Sequence, residues 1–226
     1  MLKQFENCIS LGEDCSLSMF MCRTGLHSFT GPFDWLDTLS FDGVLKNIDN
    51  GFVDFLNEKN LQREGLYNYT VYDKKYNIYF FHDFCKKYEE IKEKFDIKAK
   101  RLLEKIKQPS CFFRLVSNET EVAYINNNQK YIQKVIKKYN NDNEIVFLIC
   151  KKSIGKKIEI GKSFYLSVEE PYELGWFQHK DHSYKILENK EICKFIKDIL
   201  PTEIVEKNKK FYYNNYNSKF GPFIEI

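Results

Sequence analysis

Short apolar runs alternate along this chain with longer stretches in which apolar residues recur at helical spacing. The apolar runs are Cys8–Gly12, Cys111–Val116 and Glu144–Cys150. The helical stretches cover residues 86–107, 118–139 and 189–200. Because a strand–helix–strand order requires crossover connections, this pattern favours a mostly parallel or mixed central sheet covered by helices on both faces. We therefore predict an α/β fold.

Capping residues and turn formers mark the remaining elements. Asp14 precedes a short helix, and Ser40 precedes a second one, each with a side chain suited to the N-cap position. Residues 67–71 and 78–81 alternate in polarity on either side of a lysine-rich turn, which predicts a hairpin. We predict another hairpin within residues 157–168.

The length and composition indicate one domain. A chain of 226 residues with 43% hydrophobic residues can bury a core without disulfides or metals. We predict a single α/β domain over residues 1–226. Within it, residues 201–226 form an aromatic C-terminal tail that we expect to dock onto the rest.

The charge and motif content excludes several classes of protein. The net charge is +3, and lysines alternate with glutamates through residues 86–108, so we expect no nucleic-acid partner. The basic stretch 151–162 could hold a phosphate or an anionic glycan, although a solvated loop is the simpler interpretation. The common dinucleotide, NTPase, zincin and serine-hydrolase motifs do not occur. We expect no cofactor.

The cysteine pattern favours a reducing compartment. The seven cysteines are odd in number, without a CxxC pair or a ligand rhythm, so neither a metal nor a disulfide framework is expected. The N-terminus lacks the apolar segment of a signal peptide, and no apolar run is long enough for a membrane span. We predict a soluble, cytoplasmic protein.

Cys15 is the candidate nucleophile. It lies at or just inside the N-terminus of a helix that follows a strand and a glycine turn. The helix dipole and the free N–H groups favour a thiolate there, which predicts a thiol pKa below its usual value of about 8.5. Backbone N–H groups near residues 14–16 are predicted to stabilise an oxyanion. Because the carboxylates of Glu13 and Asp14 oppose a thiolate, the alternative is that Cys15 only caps or packs.

His82 is the candidate base, and Asp83 is the candidate residue that orients it. His82 follows the buried run 78–81, which would bring its ring to the end of a strand. The alternative is a histidine that hydrogen-bonds to the backbone at a strand end. His179 and His182 form a second option in a polar loop, and His27 has no evident partner.

Arg114 interrupts an apolar strand, so it must be paired or must face a site. A phosphate or carboxylate partner is expected, and the structural alternative is a salt bridge with Asp34 or Glu121. In parallel sheets ligands bind beyond the carboxyl ends of the strands. We therefore expect several polar segments to gather at this edge, namely Cys15, His82-Asp83, Ser117-Asn118 and Lys151-Lys152.

Several segments of the chain resemble one bacterial family of unknown function that is classed with papain-like cysteine peptidases. They read ISLGEDC, GLHSFTGPFDWL, FFHDF, KRLLEKI on a long helix, and CFFRLV, and they span roughly residues 8–120. The resemblance implies a nucleophile at Cys15 and a base at His82. It implies further polar site positions at Asp34, Trp35, Asp83, Arg101 and Arg114. It also implies a nucleophile helix packed on an antiparallel sheet, and a surface-polysaccharide context.

Three hypotheses of function follow. The first is a thiol enzyme for acyl transfer or amide hydrolysis with Cys15, His82 and Asp83 as catalytic residues. Its substrate is a small molecule, peptide or glycan, and the residues assigned to substrate binding are Asp14, Asp34, Trp35, Arg101 and Arg114. The alternative is a glycosyl- or phosphoryl-group transferase of surface glycan assembly that binds a phosphate-containing donor at the same strand ends. The third is a non-enzymatic binding module with an aromatic surface around Phe33, Trp35 and Trp176.

Overall fold

The computed structural model describes most of the chain. The described residues are 4–64, 70–81, 87–150, 157–166, 186–215 and 223–224. The strands are β1 (Asn7–Ser10), β2 (Asp37–Thr38), β3 (Leu61–Glu64), β4 (Thr70–Asp73), β5 (Ile78–Phe80), β6 (Ser110–Val116), β7 (Glu144–Cys150) and β8 (Lys162–Leu166). The helices are α1 (Cys15–Arg23), α2 (Phe41–Asp49), α3 (Tyr88–Lys105), α4 (Glu119–Asn127), α5 (Gln129–Ile136), α6 (Lys190–Ile199) and α7 (Thr202–Asn215).

Among the described residues the first sheet is parallel, with four strands in the order β1-β6-β7-β8. Every residue of β6 is buried, as are all residues of β7 after its first. Strands that are apolar on both sides are stable only when both faces of the sheet are covered. The parallel part of the fold prediction is therefore confirmed.

The second sheet is antiparallel, with the strand order β2-β5-β4-β3. Asp37 of β2 lies opposite Tyr79 of β5, and Tyr79 lies opposite Tyr72 of β4. The predicted hairpin is confirmed as β4 and β5. Its separation into a sheet of its own was not predicted, because sequence alternation alone does not say which strands will pair.

Helices pack on both faces of the parallel sheet. Successive residues of β6 point to opposite sides, so Phe112 belongs to one apolar cluster and Phe113 to the other. The Phe112 cluster joins the sheet to α2, α3, α4, α5 and the antiparallel sheet. The Phe113 cluster joins it to α1 and α6. The predicted two-sided helical cover is thereby observed.

Two predictions of secondary structure were wrong. Residues 157–166 contain a single described strand, β8, which pairs in parallel with β7 instead of forming a hairpin. The predicted helix over residues 118–139 is interrupted at Asn128, which ends α4 and precedes α5. Propensity and apolar spacing do not detect such a break, because both helices keep an apolar face toward the same core.

The C-terminal segment contains a helix, α7, that packs against the end of α1. The Asn208 side-chain amide donates to the Gly25 carbonyl at 2.7 Å, and the Ile224 N–H donates to the Arg23 carbonyl at 2.7 Å. Tyr212 is buried in this contact region. These contacts fit the proposed docking of residues 201–226, and the single-domain boundary over residues 1–226 stays a prediction.

Candidate active site

The loop between β1 and α1 presents Cys15 at the carboxyl edge of the parallel sheet. Gly12 and Glu13 both have positive φ angles, +75° and +99°. A side chain at Gly12 would bring its Cβ within 2.7 Å of the Thr38 hydroxyl oxygen, so only glycine fits there. Asp14 then caps α1 by accepting a hydrogen bond from the Ser16 N–H at 2.7 Å, as predicted. The loop thus turns sharply, and Cys15 becomes the first residue of the helix.

Cys15 is half-buried, whereas Cys8, Cys22, Cys111 and Cys150 are buried. Burial, followed by the charges of Asp14 and Asp37, raises the pKa of the Cys15 thiol to about 12. The predicted lowering of this pKa was therefore wrong. The helix terminus carries only about half a positive charge, and two carboxylates together with desolvation outweigh it.

The hydrogen bond that caps α1 reduces the number of backbone N–H groups that are free to stabilise an oxyanion. The Ser16 N–H is bound by the Asp14 carboxylate, so it has no hydrogen left for an oxyanion. The Cys15 N–H lies against its own thiol, where it slightly favours the thiolate. Of the amides of residues 14–16, we retain the Cys15 N–H as the candidate oxyanion donor.

Strand β2 is bound to the β1–α1 loop. The Thr38 N–H donates to the Glu13 carbonyl at 2.9 Å, and the Glu13 N–H donates to the Thr38 hydroxyl oxygen at 2.8 Å. Asp37, the residue before Thr38, is thereby brought close enough for its charge to act on Cys15. The antiparallel sheet and the β1–α1 loop are therefore connected by direct hydrogen bonds.

Arg114 stabilises this connection between β2 and the β1–α1 loop through hydrogen bonds to both. Its guanidinium donates five hydrogen bonds, two to the Glu121 carboxylate, two to Thr38 and one to the Leu11 carbonyl. The side chain is completely buried. The salt bridge with Glu121 is the structural alternative named from the sequence. Since a guanidinium has five N–H donors, none remains for a substrate, and we correct the binding role to one of positioning.

Asp34 does not pair with Arg114 but with His27, at 2.8 Å between Oδ2 and Nε2. It also accepts hydrogen bonds from the Ser18 hydroxyl and the Gly31 N–H. Burial opposes the charge on Asp34, but the His27 cation and these donors lower the pKa of its carboxyl below the ordinary value. Burial likewise opposes the charge on His27, yet Cys22 and Asp34 raise the pKa of its imidazole well above 6.5.

This ion pair fixes the segment that contains the Pro-Phe-Asp-Trp motif against α1. Both side chains are about 2% exposed, and the Asp34 carboxylate already interacts with His27, Ser18 and Gly31. His27, which had no partner in the sequence analysis, is thus the residue that binds Asp34. Trp35 follows with a φ angle of +66° and is half-buried. The geometry favours a structural role for Asp34 and leaves substrate contact by Trp35 as a prediction.

Glu13 lies in the same loop as Cys15, and the sequence analysis considered it only as a carboxylate that opposes the thiolate. Its Oε1 accepts a hydrogen bond from the Ser117 hydroxyl, whereas its Oε2 is buried and has no hydrogen-bond partner among the described residues. Burial, then the charges of Asp14 and Glu121, raise the pKa of Glu13 to about 8, although Arg114 and Ser117 act in the opposite direction. The positive φ of Glu13, two residues before Cys15, marks this position in the structure, but φ cannot be read from sequence.

The predicted gathering of polar segments at the carboxyl edge is found in part. The hydrogen bond between Glu13 and Ser117 brings the β1–α1 loop to the end of β6. Arg101 is exposed on α3, and no described contact joins it to this edge. The remaining predicted residues lie outside the described part of the chain: His82, Asp83, Lys151, Lys152, Trp176, His179 and His182.

The fold and this edge define a class of protein: an α/β protein with a half-buried cysteine at the head of its first helix and an antiparallel sheet bound beside it. The sequence profile of the family described as "Putative papain-like cysteine peptidase (DUF1796)" matches residues 6–153. The chain belongs to this family. No curated protein and no solved structure matches it. In the described ranges, no helix is both long enough and apolar enough to cross a membrane.

Proposed function

We propose that this protein is a thiol enzyme that cleaves an amide or transfers its acyl group, with Cys15 as nucleophile and His82 as base. The observation that carries the proposal is the position of Cys15: the thiol is half-buried at a helix start, at the carboxyl edge of a parallel sheet. Membership in a family described by cysteine-peptidase chemistry supports the same reaction type.

The register of the antiparallel sheet supports His82 as the base. Asp37, whose charge acts on Cys15, lies opposite Tyr79 on β5. His82 follows Tyr79 by three residues, a reach of at most about 10 Å of extended chain. On this ground we propose that His82 approaches the thiol, with Asp83 as the orienting carboxylate.

In the proposed reaction the thiol is not ionised beforehand. With a pKa of about 12, the Cys15 thiol stays protonated at pH 7, so a base must remove the proton as attack occurs. His82 accepts that proton while Sγ bonds to the carbonyl carbon. The C–N bond then breaks, and His82 returns the proton to the departing amine, which leaves a thioester on Cys15.

The second half of the reaction releases the acyl group. Water, or an acceptor hydroxyl or amine, gives its proton to His82 and attacks the thioester carbon. The C–S bond breaks, and Sγ recovers the proton from His82. The Cys15 N–H is the proposed donor to the oxyanion in both halves.

The carboxylates at this edge disfavour the transferase alternative. A phosphate at the start of α1 would meet Asp14 and Asp37, and Arg114 has no donor left for it. Anion binding at a helix terminus requires free N–H groups and no opposing charge nearby. We therefore propose the thiol enzyme and retain the transferase only as an outcome of the experiment.

The experiment measures alkylation of individual cysteines by iodoacetamide, resolved by peptide mass spectrometry. Cys193 is the matched control, because it is also half-buried and burial also raises its pKa. We expect Cys15 to react at least tenfold faster than Cys193, and His82→Ala to slow Cys15 alone. Hydrolysis of peptide and acyl-ester substrates by the wild type should be lost in Cys15→Ala.

Two results would contradict the proposal. The first is a Cys15 rate no greater than that of Cys193 and unaffected by His82→Ala. The second is catalytic turnover that survives in Cys15→Ala. Stabilisation by a sugar nucleotide in a thermal-shift assay, together with either result, would favour the transferase.

A further inference from the structure

The unpartnered oxygen of Glu13 is the feature of this site that the proposed reaction does not use. Glu13 is 4% exposed, and within the part of the chain that the structure describes its Oε2 has no hydrogen-bond partner. A buried polar atom without a partner costs about 1–3 kcal/mol, more when it is charged, so such atoms are rare and require an explanation. A ligand that donates to this oxygen would supply one.

The position of this carboxyl group places it at the predicted ligand-binding edge. Glu13 is two residues from Cys15, so their α-carbons are within about 7 Å of each other. Its other oxygen accepts from Ser117, just beyond the end of β6. Burial first, and then the charges of Glu13 and Asp14, raise the pKa of Cys150 at the end of β7. Glu13 therefore lies between the nucleophile and the ends of the two central strands.

The charges around Glu13 determine which kind of ligand group would be favourable. Asp14 and Glu121 act on it as negative charges, and Arg114, the cation that acts on it, already makes a bidentate ion pair with Glu121. An anionic group would add to this repulsion, whereas a cationic group would relieve it. No three His, Cys, Asp or Glu side chains converge as metal ligands within the described residues. A nitrogen cation fits this environment better than a metal ion.

We infer that Glu13 binds a positively charged nitrogen group of the substrate, an ammonium or guanidinium, next to the bond that Cys15 attacks. This inference rests on the proposed function and names the substrate class for it. Glu13 is a specificity residue in this scheme: its carboxylate, which forms as pH rises through about 8 or when a cation binds, selects basic substrates over neutral or acidic ones. A cation bound there also offsets the carboxylates that disfavour a thiolate at Cys15.

A binding experiment that does not depend on thiol chemistry tests the inference. Arginine amide and citrulline amide have nearly the same shape but differ by the charge of the side chain. At pH 8.5, above the pKa of Glu13, increasing arginine amide should raise the melting temperature of the wild type more than citrulline amide does. Glu13→Gln, which keeps the shape and the hydrogen bond to Ser117, should abolish the difference. Glu203→Gln, on the exposed start of α7, should preserve it.

A second arm measures charge selectivity at the thiol itself. Two methanethiosulfonate reagents are compared, one with a trimethylammonium group and one with a sulfonate, and their rates at Cys15 are divided by their rates with 2-mercaptoethanol. We expect at least a tenfold preference for the cation at pH 8.5, to which Asp14, Asp37 and Glu13 all contribute, so Glu13→Gln should lower it only in part. Equal responses of wild type and Glu13→Gln in the binding arm would overturn the inference. If arginine amide binds through Glu13 but Cys15 is not activated by His82, the proposed function fails while the cation site stands.

Discussion

Replacement of Arg114 by methionine is predicted to destabilise the protein by about 3–5 kcal/mol, because it leaves a buried carboxylate without its partner. Glu121 is 5% exposed and receives two of the five hydrogen bonds that Arg114 donates. The same change leaves the carbonyl oxygens of Leu11 and Thr38 without these donors. For a chain of this size the loss corresponds to a melting temperature lower by about 10 °C.

A double-mutant cycle separates this ion pair from ordinary packing. Glu121→Met alone leaves the guanidinium charge buried, so it should also cost several kcal/mol. The double variant Arg114→Met/Glu121→Met removes both charges together, and its loss should be smaller than the sum of the single losses by about 2 kcal/mol or more. Free energies of unfolding from urea denaturation, followed by circular dichroism, provide the measurement.

Arg101→Met is the matched control, because Arg101 is exposed on α3 and should change the stability by no more than about 0.5 kcal/mol. The reasoning is refuted if Arg114→Met costs less than about 1 kcal/mol, or if the single losses simply add. Because Arg114 connects Leu11 and Thr38, we also expect the variant to change the alkylation rate of Cys15, and Arg101→Met to leave it unchanged.

Three further predictions concern buried charges and a close contact. In the folded protein the pKa of Glu13 is about 8, raised from 4.5, so its contribution to stability is complete below about pH 4.5 and is lost as pH rises through about 8. Glu13→Gln should remove this loss, which is at most about 5 kcal/mol. A pH-independent difference between the two proteins in urea unfolding would contradict the prediction. The pair of His27 and Asp34 stabilises the fold most between about pH 4 and 6.5. His27 loses its contribution as pH rises through its raised pKa, and Asp34 loses its contribution as pH falls through its lowered pKa. Asp34→Asn should therefore cost most stability in this window. Gly43→Ala should cost about 3 kcal/mol or more despite its better helix propensity, since the new Cβ would lie 1.9 Å from a backbone oxygen. Gly51→Ala has open space around it but a φ of +69°, so it should cost only about 1 kcal/mol. Equal melting temperatures of the two variants would refute the contact argument.

Several elements of the fold could be predicted because their signals are local. The strand over Glu144–Cys150 was predicted with its observed bounds, since a fully buried strand is a continuous apolar run between turns. Asp14 and Ser40 cap their helices as expected, because an N-cap depends on one side chain and the two or three amides that follow it. The family resemblance was confirmed for the same reason, as its motifs are contiguous stretches of sequence.

The partners of the buried charges could not be predicted. A salt bridge between Arg114 and Glu121, which are close in sequence, was named as one of the structural alternatives. The ion pair of Asp34 with His27 depends instead on the path of the chain after α1, which the sequence does not give. The pKa of the Cys15 thiol was predicted to be lowered, whereas it is raised. A helix dipole can be inferred from sequence, whereas desolvation and the position of Asp37 require coordinates.

By itself the amino-acid sequence determined the apolar strands, the helix caps and the family, because each of these depends on residues that are neighbours in the chain. The tertiary structure alone decided that β2 binds the β1–α1 loop and that every N–H of the Arg114 guanidinium donates to a protein group. It also decided that one oxygen of Glu13 is buried with no partner among the described residues. The physical reason is that pKa values and hydrogen-bond satisfaction depend on burial and on contacts between distant segments, which only the folded chain brings together.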